Sequence, residues 1–445
     1  MDSKMIKQLH CPLCGSRLEI NRIIRKTDED IEGAVVSCSC RKYPLLEGIL
    51  ILKSNKHLSH ITKKLEEGNY TRALRSLIQS QGLANTHWIS RSNPLLVNIV
   101  HRNLAGLRKL LSNYKTWRLI QNSDISFCAL MRKLGWGEFG EYLINRFSDP
   151  TFWSIYPLLR VIKSRKLERV LDFGCGAGHL SFILSRAFPH VEVFNIDKSF
   201  VLLILAKRYF NDGGQYICMD FDDMGSLPFQ DDYFFTVLCM DTFHYVSSKL
   251  SLANEFSRVL KSRGLTLIPH LHNALAKNIS PGSPLTPAGY LKLFENSETR
   301  LFPEVNLLEE FLKKNKLDLN KKYSQERLNS AKAFVLVRSN SKVYKKYLDV
   351  DCEFLSLKSD LNINPIFEVK KANSQFILTK QDYEDKYSIV KKHVPSKLEI
   401  SKEILNRIRE KGRKKTSEEI QKLRRKFVLI SVPRNYCSFH RQIQT

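Results

Sequence analysis

The sequence predicts an α/β fold built on an open, mostly parallel sheet, and three observations carry this prediction. A short apolar run at residues 170–173 is followed by a glycine-rich turn and then by apolar residues at helical spacing. A second apolar run, at 191–196, ends in Asp197. Further runs at 265–269 and 333–338 have the length and composition of strands. Such strand, turn and helix repeats are typical of an open parallel sheet, whose ligands lie outside the carboxyl ends of the strands.

The glycine-rich turn is the candidate ligand-binding loop. It holds three glycines at alternate positions, Gly174, Gly176 and Gly178. Glycine allows positive φ and a close approach to a ligand, and the helix that follows offers its amino terminus to anionic groups, although a plain turn has the same composition. Asp197 lies about twenty residues beyond the last glycine, where a carboxylate can accept hydrogen bonds from ribose hydroxyls. An NAD loop is disfavoured because His179 and Ser181 stand where its third glycine would fall.

The segment from Asp172 to Gly178 resembles the first motif of the class I S-adenosylmethionine-dependent methyltransferases, of the type 11, UbiE-like group. Further segments match this family in order: Met219-Asp220-Phe221, Leu227-Pro228-Phe229, Phe243-His244-Tyr245-Val246 and Arg258 to Gly264. The resemblance covers about residues 150–340 and implies a Rossmann-like, seven-stranded sheet whose last strand is antiparallel. The sixth strand is expected at Leu317 to Tyr323, and the seventh at Ala333 to Arg338.

The same resemblance implies that S-adenosylmethionine is the cofactor. Its methionine part would lie against Asp172 and the three glycines, its ribose on Asp197, and its adenine at Asp220 and Phe221. Residues 241–245 would lie beneath the methyl group. Methyl transfer from a sulfonium depends mainly on the proximity and orientation of the acceptor, so these motifs leave the acceptor open.

Four polar residues after the fourth and fifth strands are the candidate catalytic groups: Asp241, His244, His270 and His272. Each of the first two can deprotonate an acceptor hydroxyl or amine, or act as a cap at the strand end. The two later histidines share a face of an extended segment, and together with Asn273, which follows them, they are expected to meet a substrate. Substrate binding or acid–base catalysis, metal binding, and structural hydrogen bonding are the open alternatives for this pair. A proline- and glycine-rich loop at 280–287 is expected to act as a lid.

The amino-terminal segment holds two cysteine pairs with the spacing of a zinc ribbon: Cys11, Cys14, Cys38 and Cys40. Two thiolate pairs on two turns can close a tetrahedral zinc site, and four free thiols are the alternative. The segment from Tyr43 to Leu50 resembles the end of the Trm112-like zinc domains, which implies a docking or stabilising module without catalytic groups. The other cysteines are expected to be reduced packing residues: Cys128, Cys175, Cys218, Cys239, Cys352 and Cys437.

The chain has 445 residues and a net charge of +26, and both bear on its organisation. The predicted domains are a zinc ribbon (1–55), a helical linker region (56–150), the methyltransferase domain (151–340) and a small, basic α+β extension (341–445). A helical pattern runs from 57 to 166, and a hairpin, a basic helical stretch at 400–425 and a last strand are expected in the extension. The positive charge lies in the flanks, since residues 166–275 carry nearly balanced charge.

These features predict a methyltransferase acting on a small-molecule, lipid or saccharide acceptor. The basic flanks and the ribbon favour RNA as the alternative acceptor, because cationic surfaces bind phosphate backbones. A non-catalytic scaffold that binds protein partners through the ribbon is a further alternative. A cytoplasmic protein without a transmembrane segment is expected, because no run approaches the roughly 18 apolar residues of a spanning helix and residues 1–10 lack an apolar signal region.

Overall fold

The computed structural model describes residues 1–27, 30–54, 56–80, 115–122, 124–165, 168–278, 282–339, 341–372, 375–380, 388–409 and 417–437. Parts of three sequence predictions lie outside these residues: the helical pattern at 81–114, the start of the proline- and glycine-rich loop at 280–281, and the middle of the last basic helical stretch at 410–416.

The strands of the described residues, in chain order, are β1 (Glu19–Thr27), β2 (Asp30–Ser37), β3 (Lys42–Leu46), β4 (Ile49–Leu52), β5 (Arg169–Phe173), β6 (Glu192–Asp197), β7 (Gln215–Met219), β8 (Phe234–Leu238), β9 (Leu260–His272), β10 (Thr299–Pro303), β11 (Lys316–Asp318), β12 (Ala333–Arg338), β13 (Lys346–Leu348), β14 (Asp360–Ile363), β15 (Phe367–Ala372), β16 (Gln375–Lys380), β17 (Lys397–Ser401) and β18 (Leu429–Val432).

The helices of the same residues are α1 (Ser3–Ile6), α2 (Lys56–Glu66), α3 (Tyr70–Ser80), α4 (Phe127–Leu134), α5 (Gly137–Asn145), α6 (Pro150–Trp153), α7 (Ile155–Lys163), α8 (His179–Ala187), α9 (Phe200–Leu205), α10 (Phe221–Met224), α11 (Lys249–Val259), α12 (Pro287–Leu293), α13 (Glu304–Lys314), α14 (Gln325–Asn329), α15 (Cys352–Leu355), α16 (Ser388–His393), α17 (Lys402–Arg409) and α18 (Glu418–Arg425). Within the described ranges, none of the helices has the length and apolarity needed to cross a membrane.

The predicted α/β fold is confirmed by the order of the central sheet. Seven of its strands follow the order β7-β6-β5-β8-β9-β12-β10. The first five are parallel, and β12 is antiparallel to β9 and β10 on either side of it. Apolar side chains on the two faces form two cores, with Val170 and Leu265 in one and Leu171 and Ile268 in the other. Strands covered on both faces read as nearly continuous apolar runs, which is why β5 was recognisable from the sequence.

The prediction for the sixth strand was wrong. The sixth strand is β10, which precedes α13, whereas only Lys316–Asp318 of the predicted segment is a strand, and it pairs with β13 outside the main sheet. β10 is the edge strand and ends in Pro303. Proline has no backbone N–H, and an edge position tolerates that loss, but the short proline-containing segment gave no strand pattern in the sequence.

The amino-terminal ribbon continues the same sheet. β1 to β4 form an antiparallel meander, and β4 pairs in parallel with β7, aligning Leu50 with Ile217 and Leu52 with Met219. All four residues of β4 are buried. The ribbon therefore covers an edge of the parallel sheet that would otherwise expose unpaired backbone groups.

The carboxyl-terminal extension has the predicted α+β character. The expected hairpin is present as β15 and β16, and the expected last strand is β18, which pairs with β14. The extension packs against the region before β5, where the rings of Trp153 and Phe427 stack at 3.8 Å. The Tyr436 hydroxyl donates to the backbone carbonyls of Leu143 and Ile144.

Two of the scattered cysteines are not separate packing residues. Cys128 at the start of α4 and Cys437 form a disulfide, with their Cα atoms 5.2 Å apart. The expectation that both are reduced is therefore wrong in this structure. The pair is 309 residues apart in sequence, so spacing along the chain carried no sign of it.

Candidate active site

The glycine-rich loop joins β5 to α8 and is tightly packed on two sides. Gly174 has φ 73° and Gly178 has φ 92°. A Cβ atom on Gly174 would collide with the Thr242 side chain, and one on Gly178 would lie 2.7 Å from Ala206 Cβ. At Gly176 nothing lies within 4 Å of the same position. The loop is therefore fixed at both ends and open in the middle, which is the arrangement that lets a ligand approach the backbone.

Two aspartates flank this loop at the carboxyl ends of β5 and β6. Asp197 accepts hydrogen bonds from the backbone N–H groups of Gly176 at 2.9 Å and Ser199 at 2.8 Å. Asp172 is 1% exposed, and its Oδ2 atom has no hydrogen-bond partner within the described residues. Burial, together with the nearby charge of Asp197, raises the pKa of Asp172 to about 8. A ligand group that donates hydrogen bonds or carries positive charge would satisfy this carboxyl group.

We expect Asp172→Asn to stabilise the ligand-free protein at pH 8 by about 1–3 kcal/mol. Because the folded-state pKa, about 8, exceeds the ordinary value of 3.8, the protonated carboxyl stabilises the fold at low pH, and this contribution is lost as the pH rises from about 4 to 8. Asparagine has no proton to lose. Thermal unfolding of the wild type and of Asp172→Asn between about pH 4 and 8 checks this prediction. Stability that varies equally with pH in the two proteins would contradict the raised pKa of Asp172.

The next two candidates lie at the end of β7. Asp220 caps α10, because its side chain accepts from the backbone N–H of Asp222, and Phe221 is buried edge-on against Phe173.

The end of the ribbon reaches the carboxyl ends of β6 and β7. Lys53 Nζ donates to the Lys198 carbonyl at 2.6 Å, and the Ser54 backbone N–H donates to Asp223 at 3.0 Å. The last residues of the ribbon thus contact the loops after β6 and β7, a contact that the sequence did not predict.

The four candidate catalytic residues lie together at the carboxyl ends of β8 and β9. Asp241 and His244 follow β8, whereas His270 and His272 are part of β9, which runs further than the sequence predicted. His272 Nε2 lies 3.7 Å from Asp241 Oδ1 and 3.2 Å from His270 Nε2. The rings of His244 and His272 are stacked, with centroids 4.0 Å apart. Between Asp241 and His244 stands Thr242, whose hydroxyl donates to the Gly174 carbonyl at 3.1 Å. The cluster is therefore connected directly to the glycine-rich loop.

Three residues that sequence reasoning missed surround this cluster. The Tyr142 hydroxyl donates to Asp241 Oδ2 at 3.1 Å, and the Arg146 guanidinium lies 3.3 Å from the same oxygen. The fully buried Glu304 contacts His270 Nδ1 at 2.8 Å. Tyr142 and Arg146 come from α5 and the turn after it, about a hundred residues before Asp241, and Glu304 begins α13 after the misplaced sixth strand. No local pattern in the sequence pointed to Tyr142 or Glu304. Arg146 begins the aromatic segment 146–156, for which the sequence left a wall of the site and plain packing equally open.

The charges in the cluster shift its pKa values in different directions. Burial favours protonation of Asp241, but His270 and Arg146 outweigh it and lower the pKa of that carboxyl. Burial disfavours a charged His270, but Glu304 and Asp241 outweigh it and raise the pKa of that imidazole. Burial and the neighbouring His272 lower the pKa of His244 to about 3, so His244 is neutral at physiological pH.

The described part of the proline- and glycine-rich loop lies on His244. A Cβ atom on Gly282, whose φ is 130°, would lie 2.9 Å from His244 Cδ2, and the Ser283 backbone N–H donates to the His244 carbonyl at 2.9 Å.

Asn273 does not take the place beside a substrate that the sequence predicted for it. Its side-chain amide donates to the backbone carbonyls of Leu328, Asn329 and Ala331, so it is a structural residue and is not available to a substrate.

The four ribbon cysteines converge from the segment before β1 and the turn between β2 and β3. Their sulfur atoms all lie within 4.8 Å of one another, with Cys11 and Cys40 at 3.7 Å and Cys38 and Cys40 at 3.4 Å. A tetrahedral zinc ion with bonds of about 2.3 Å places its sulfur ligands about 3.8 Å apart, so the cluster suits zinc. The buried Tyr43 hydroxyl lies 3.1 Å from the Cys11 sulfur and can support it as a ligand.

Comparison with known proteins finds similarity to methyltransferases. Residues 171–268 match the family model described as a methyltransferase domain. The demethylmenaquinone methyltransferase of Thermotoga maritima is 33% identical over 132 residues, which cover 29% of this chain and 56% of that protein. The malonyl-[acyl-carrier protein] O-methyltransferase of Legionella pneumophila is 28% identical over 104 residues, covering 23% of this chain and 36% of that protein.

A third relative, the uncharacterised methyltransferase YcgJ of Bacillus subtilis, is 30% identical over 113 residues, covering 25% of this chain and 44% of that protein. Its crystal structure aligns with 42% of this chain and 97% of its own, at 17% identity and a TM-score of 0.29. The chain thus spans about half or less of the length of these curated relatives. The matched segment holds the glycine-rich loop, Asp197, Asp241 and His244, whereas His270 and His272 lie beyond it. The predicted family is therefore confirmed for this segment: residues 171–268 match a methyltransferase domain, and the three sequence relatives are named as methyltransferases.

Proposed function

We propose that the protein is an S-adenosylmethionine-dependent methyltransferase that transfers a methyl group to an oxygen or nitrogen atom of a small-molecule, lipid or saccharide acceptor. The observation that carries this proposal is the contact between the two halves of the site. Thr242 packs on Gly174 of the glycine-rich loop, and the neighbouring Asp241 and His244 belong to the histidine cluster. A donor held by the loop and an acceptor held by the cluster would then be neighbours.

The loop residues fit the donor half of this role. The open position at Gly176 leaves room against the backbone, and the unpartnered Oδ2 of Asp172 can receive a hydrogen bond or a positive charge. Asp197 would bind the ribose hydroxyls while it holds Gly176, and Asp220 with Phe221 would border the adenine. When bound, S-adenosylmethionine supplies an activated methyl group together with its own leaving group. The protein is left to position the donor and acceptor and to exclude water.

The cluster fits the acceptor half. Glu304 fixes the orientation of His270, and Arg146 with Tyr142 fixes Asp241. His270 and His272 would orient the acceptor and accept its proton, because an imidazole held by a carboxylate is a competent general base near neutral pH. Asp241 and the neutral His244 would complete the pocket wall.

The choice of a small acceptor rests on the burial of this cluster. Gly282 and Ser283 pack on His244, and the candidate catalytic side chains are no more than 18% exposed. Two of the relatives are named for acceptors of the small-molecule or carrier-bound kind, which supports the same choice. RNA is the second candidate, favoured by the net charge of +26. Steep loss of RNA affinity with added salt, together with methyl transfer to RNA, would establish it.

We further propose that the ribbon binds one structural zinc ion and acts mainly within its own chain. β4, which pairs with β7, is already occupied by the chain's own sheet, so docking to another protein would use a different face. A cytoplasmic location belongs to this proposal and rests on the four free thiols of the ribbon, although a disulfide such as Cys128–Cys437 is rare in a reducing compartment. The intact loop and acids argue against a non-catalytic scaffold.

The test is transfer of a labelled methyl group from S-adenosylmethionine to separate lipid, polar-metabolite and RNA fractions. We expect label in a lipid or polar fraction. His272→Ala should lower turnover by about 100-fold or more while cofactor affinity stays within a few-fold, since His272 lies on the acceptor side. The matched control is His190→Ala at an exposed position. Joint loss of cofactor binding and transfer in His272→Ala would assign His272 a structural role instead.

A further inference from the structure

The histidine cluster offers the ligand set of a metal site. Asp241, His244 and His272 each present one ligand atom, and these three atoms lie within 4.8 Å of one another. Bonds of about 2.1 Å to a divalent ion place ligand atoms roughly 3.0–4.2 Å apart. The 3.7 Å between His272 Nε2 and Asp241 Oδ1 falls within that range. The imidazoles of His244 and His272 are stacked with 12° between their planes, so an ion in line with the lone pairs of both rings requires one ring to turn out of the stack.

Hydrogen bonding within the described residues leaves both ring nitrogens of His244 unexplained. This residue is 1% exposed, and neither of its ring nitrogens has a hydrogen-bond partner within the described residues. Buried polar side chains nearly always have a partner, and an exception calls for an explanation, of which a bound ion is one. The ring stacks on His272 and lies close to Gly282, and neither contact gives its nitrogens a hydrogen-bond partner.

The surroundings orient the other ligands. Tyr142 and Arg146 both contact Asp241 Oδ2, which leaves Oδ1 directed at the histidines. Glu304 contacts His270 Nδ1, and His270 Nε2 lies 3.2 Å from His272 Nε2, so Glu304 acts on the ligand His272 only through His270. Carboxylates and hydrogen-bond donors in this outer position are typical of metal centres, where they fix the orientation of the ligands.

The backbone of the cluster is also strained. Asp241 has φ 54° and His270 has φ 53°, both in the left-handed region that non-glycine residues seldom occupy. Such strain persists where the surrounding structure imposes it, and it concentrates at ligand-binding and catalytic sites. Asp241 and His270, at the ends of neighbouring strands, thus both adopt a left-handed backbone conformation, and His270 Nε2 lies 3.9 Å from Asp241 Oδ1.

We propose that Asp241, His244 and His272 bind one divalent transition-metal ion in the acceptor pocket, separate from the zinc of the ribbon. Two imidazoles and one carboxylate suit Zn²⁺, Fe²⁺, Mn²⁺ or Co²⁺, whereas the soft sulfur ligands of the ribbon select zinc. Three protein ligands leave coordination positions open, which is the feature of catalytic rather than structural metal sites.

The role of this ion rests on the proposed methyltransferase function. An open position would bind the oxygen of a hydroxyl or enol acceptor and favour its ionisation. The acceptor proton would pass to His270, the oxygen would form its bond to the methyl carbon as the carbon–sulfur bond breaks, and S-adenosylhomocysteine would leave as a neutral thioether. The acceptor class is therefore a small molecule with a metal-binding oxygen at the methylated position.

The experiment titrates the full chain, purified with its ribbon zinc, with Mn²⁺ and separately with Co²⁺ in a calorimeter. Mn²⁺ competes poorly for thiolates, so its binding reports on the nitrogen and oxygen ligands. We expect one further ion per chain, bound in the micromolar range. Asp241→Asn and His244→Gln should each weaken binding by about 30-fold or more. His190→Gln, at an exposed position, should leave it unchanged.

Binding of S-adenosylhomocysteine is measured on the same samples and separates the two proposals. It serves as the folding check for each variant, because Asp197 and the glycine-rich loop are intact in all of them. Wild-type protein that binds S-adenosylhomocysteine but takes up neither Mn²⁺ nor Co²⁺, and holds no metal beyond one zinc, overturns the second metal site and leaves the methyltransferase proposal standing. The second metal site is also overturned if Asp241→Asn and His244→Gln both bind Mn²⁺ and Co²⁺ as tightly as the wild type.

Discussion

Asp197→Ala is expected to weaken the binding of S-adenosylhomocysteine about 100-fold. One carboxylate oxygen accepts the Gly176 N–H and the other accepts the Ser199 N–H, so Asp197 both shapes the open point of the loop and faces the proposed ribose position. Its removal takes away charge-assisted hydrogen bonds to the ligand and releases the loop at the same time. Calorimetric titration of the two proteins measures the change.

The matched control for this change is Asp212→Ala, which removes an exposed acid from the turn before β7. It should leave the affinity within about two-fold, because a distant surface charge is screened by salt. If Asp197→Ala binds as tightly as the wild type, the donor does not lie on the carboxyl end of β6, and the donor half of the proposed site is wrong.

Cys11→Ser is expected to release the ribbon zinc and to lower the free energy of unfolding by several kcal/mol, since structural zinc sites contribute about 10–16 kcal/mol of apparent binding energy. Cys11 is buried and contacts Tyr43. Loss of the ribbon would uncover the edge of β7 and remove the contacts of Lys53 and Ser54 with the loops after β6 and β7. We therefore also expect weaker binding of S-adenosylhomocysteine.

Metal analysis and thermal unfolding check this result, with Cys352→Ser, an exposed cysteine outside the ribbon, as the control. Protein prepared without chelator that holds no zinc, or a Cys11→Ser variant with wild-type zinc content and stability, would contradict the zinc assignment.

The sequence predicted the elements whose signal is local. β5, the glycines and Asp197 lie within 28 residues of one another, and their apolar runs and spacing are dictated by a strand, a turn and a helix in succession. The four ribbon cysteines were likewise recognisable, because paired spacing reflects the turn that each pair occupies. The sequence alone therefore indicates where the proposed S-adenosylmethionine site and the ribbon lie in the chain.

The contacts that the sequence could not predict are those between distant segments. Arg146 and Tyr142 reach Asp241 from the region before β5, and Cys128 meets Cys437 across almost the whole chain. A short stretch of sequence does not show which helix packs beside which strand end in the folded chain. Asn273 was misjudged for a related reason: its position after β9 suggested a ligand contact, but the backbone carbonyls of 328–331 pack against it and take its amide donors.

Calorimetric titration of the zinc-loaded full chain with S-adenosylhomocysteine tests the central claim most directly. The proposed donor site predicts one molecule bound per chain with a dissociation constant in the micromolar range, and no binding of NAD, whose loop pattern the sequence lacks. A folded, zinc-containing protein that binds no S-adenosylhomocysteine at millimolar concentration would contradict it.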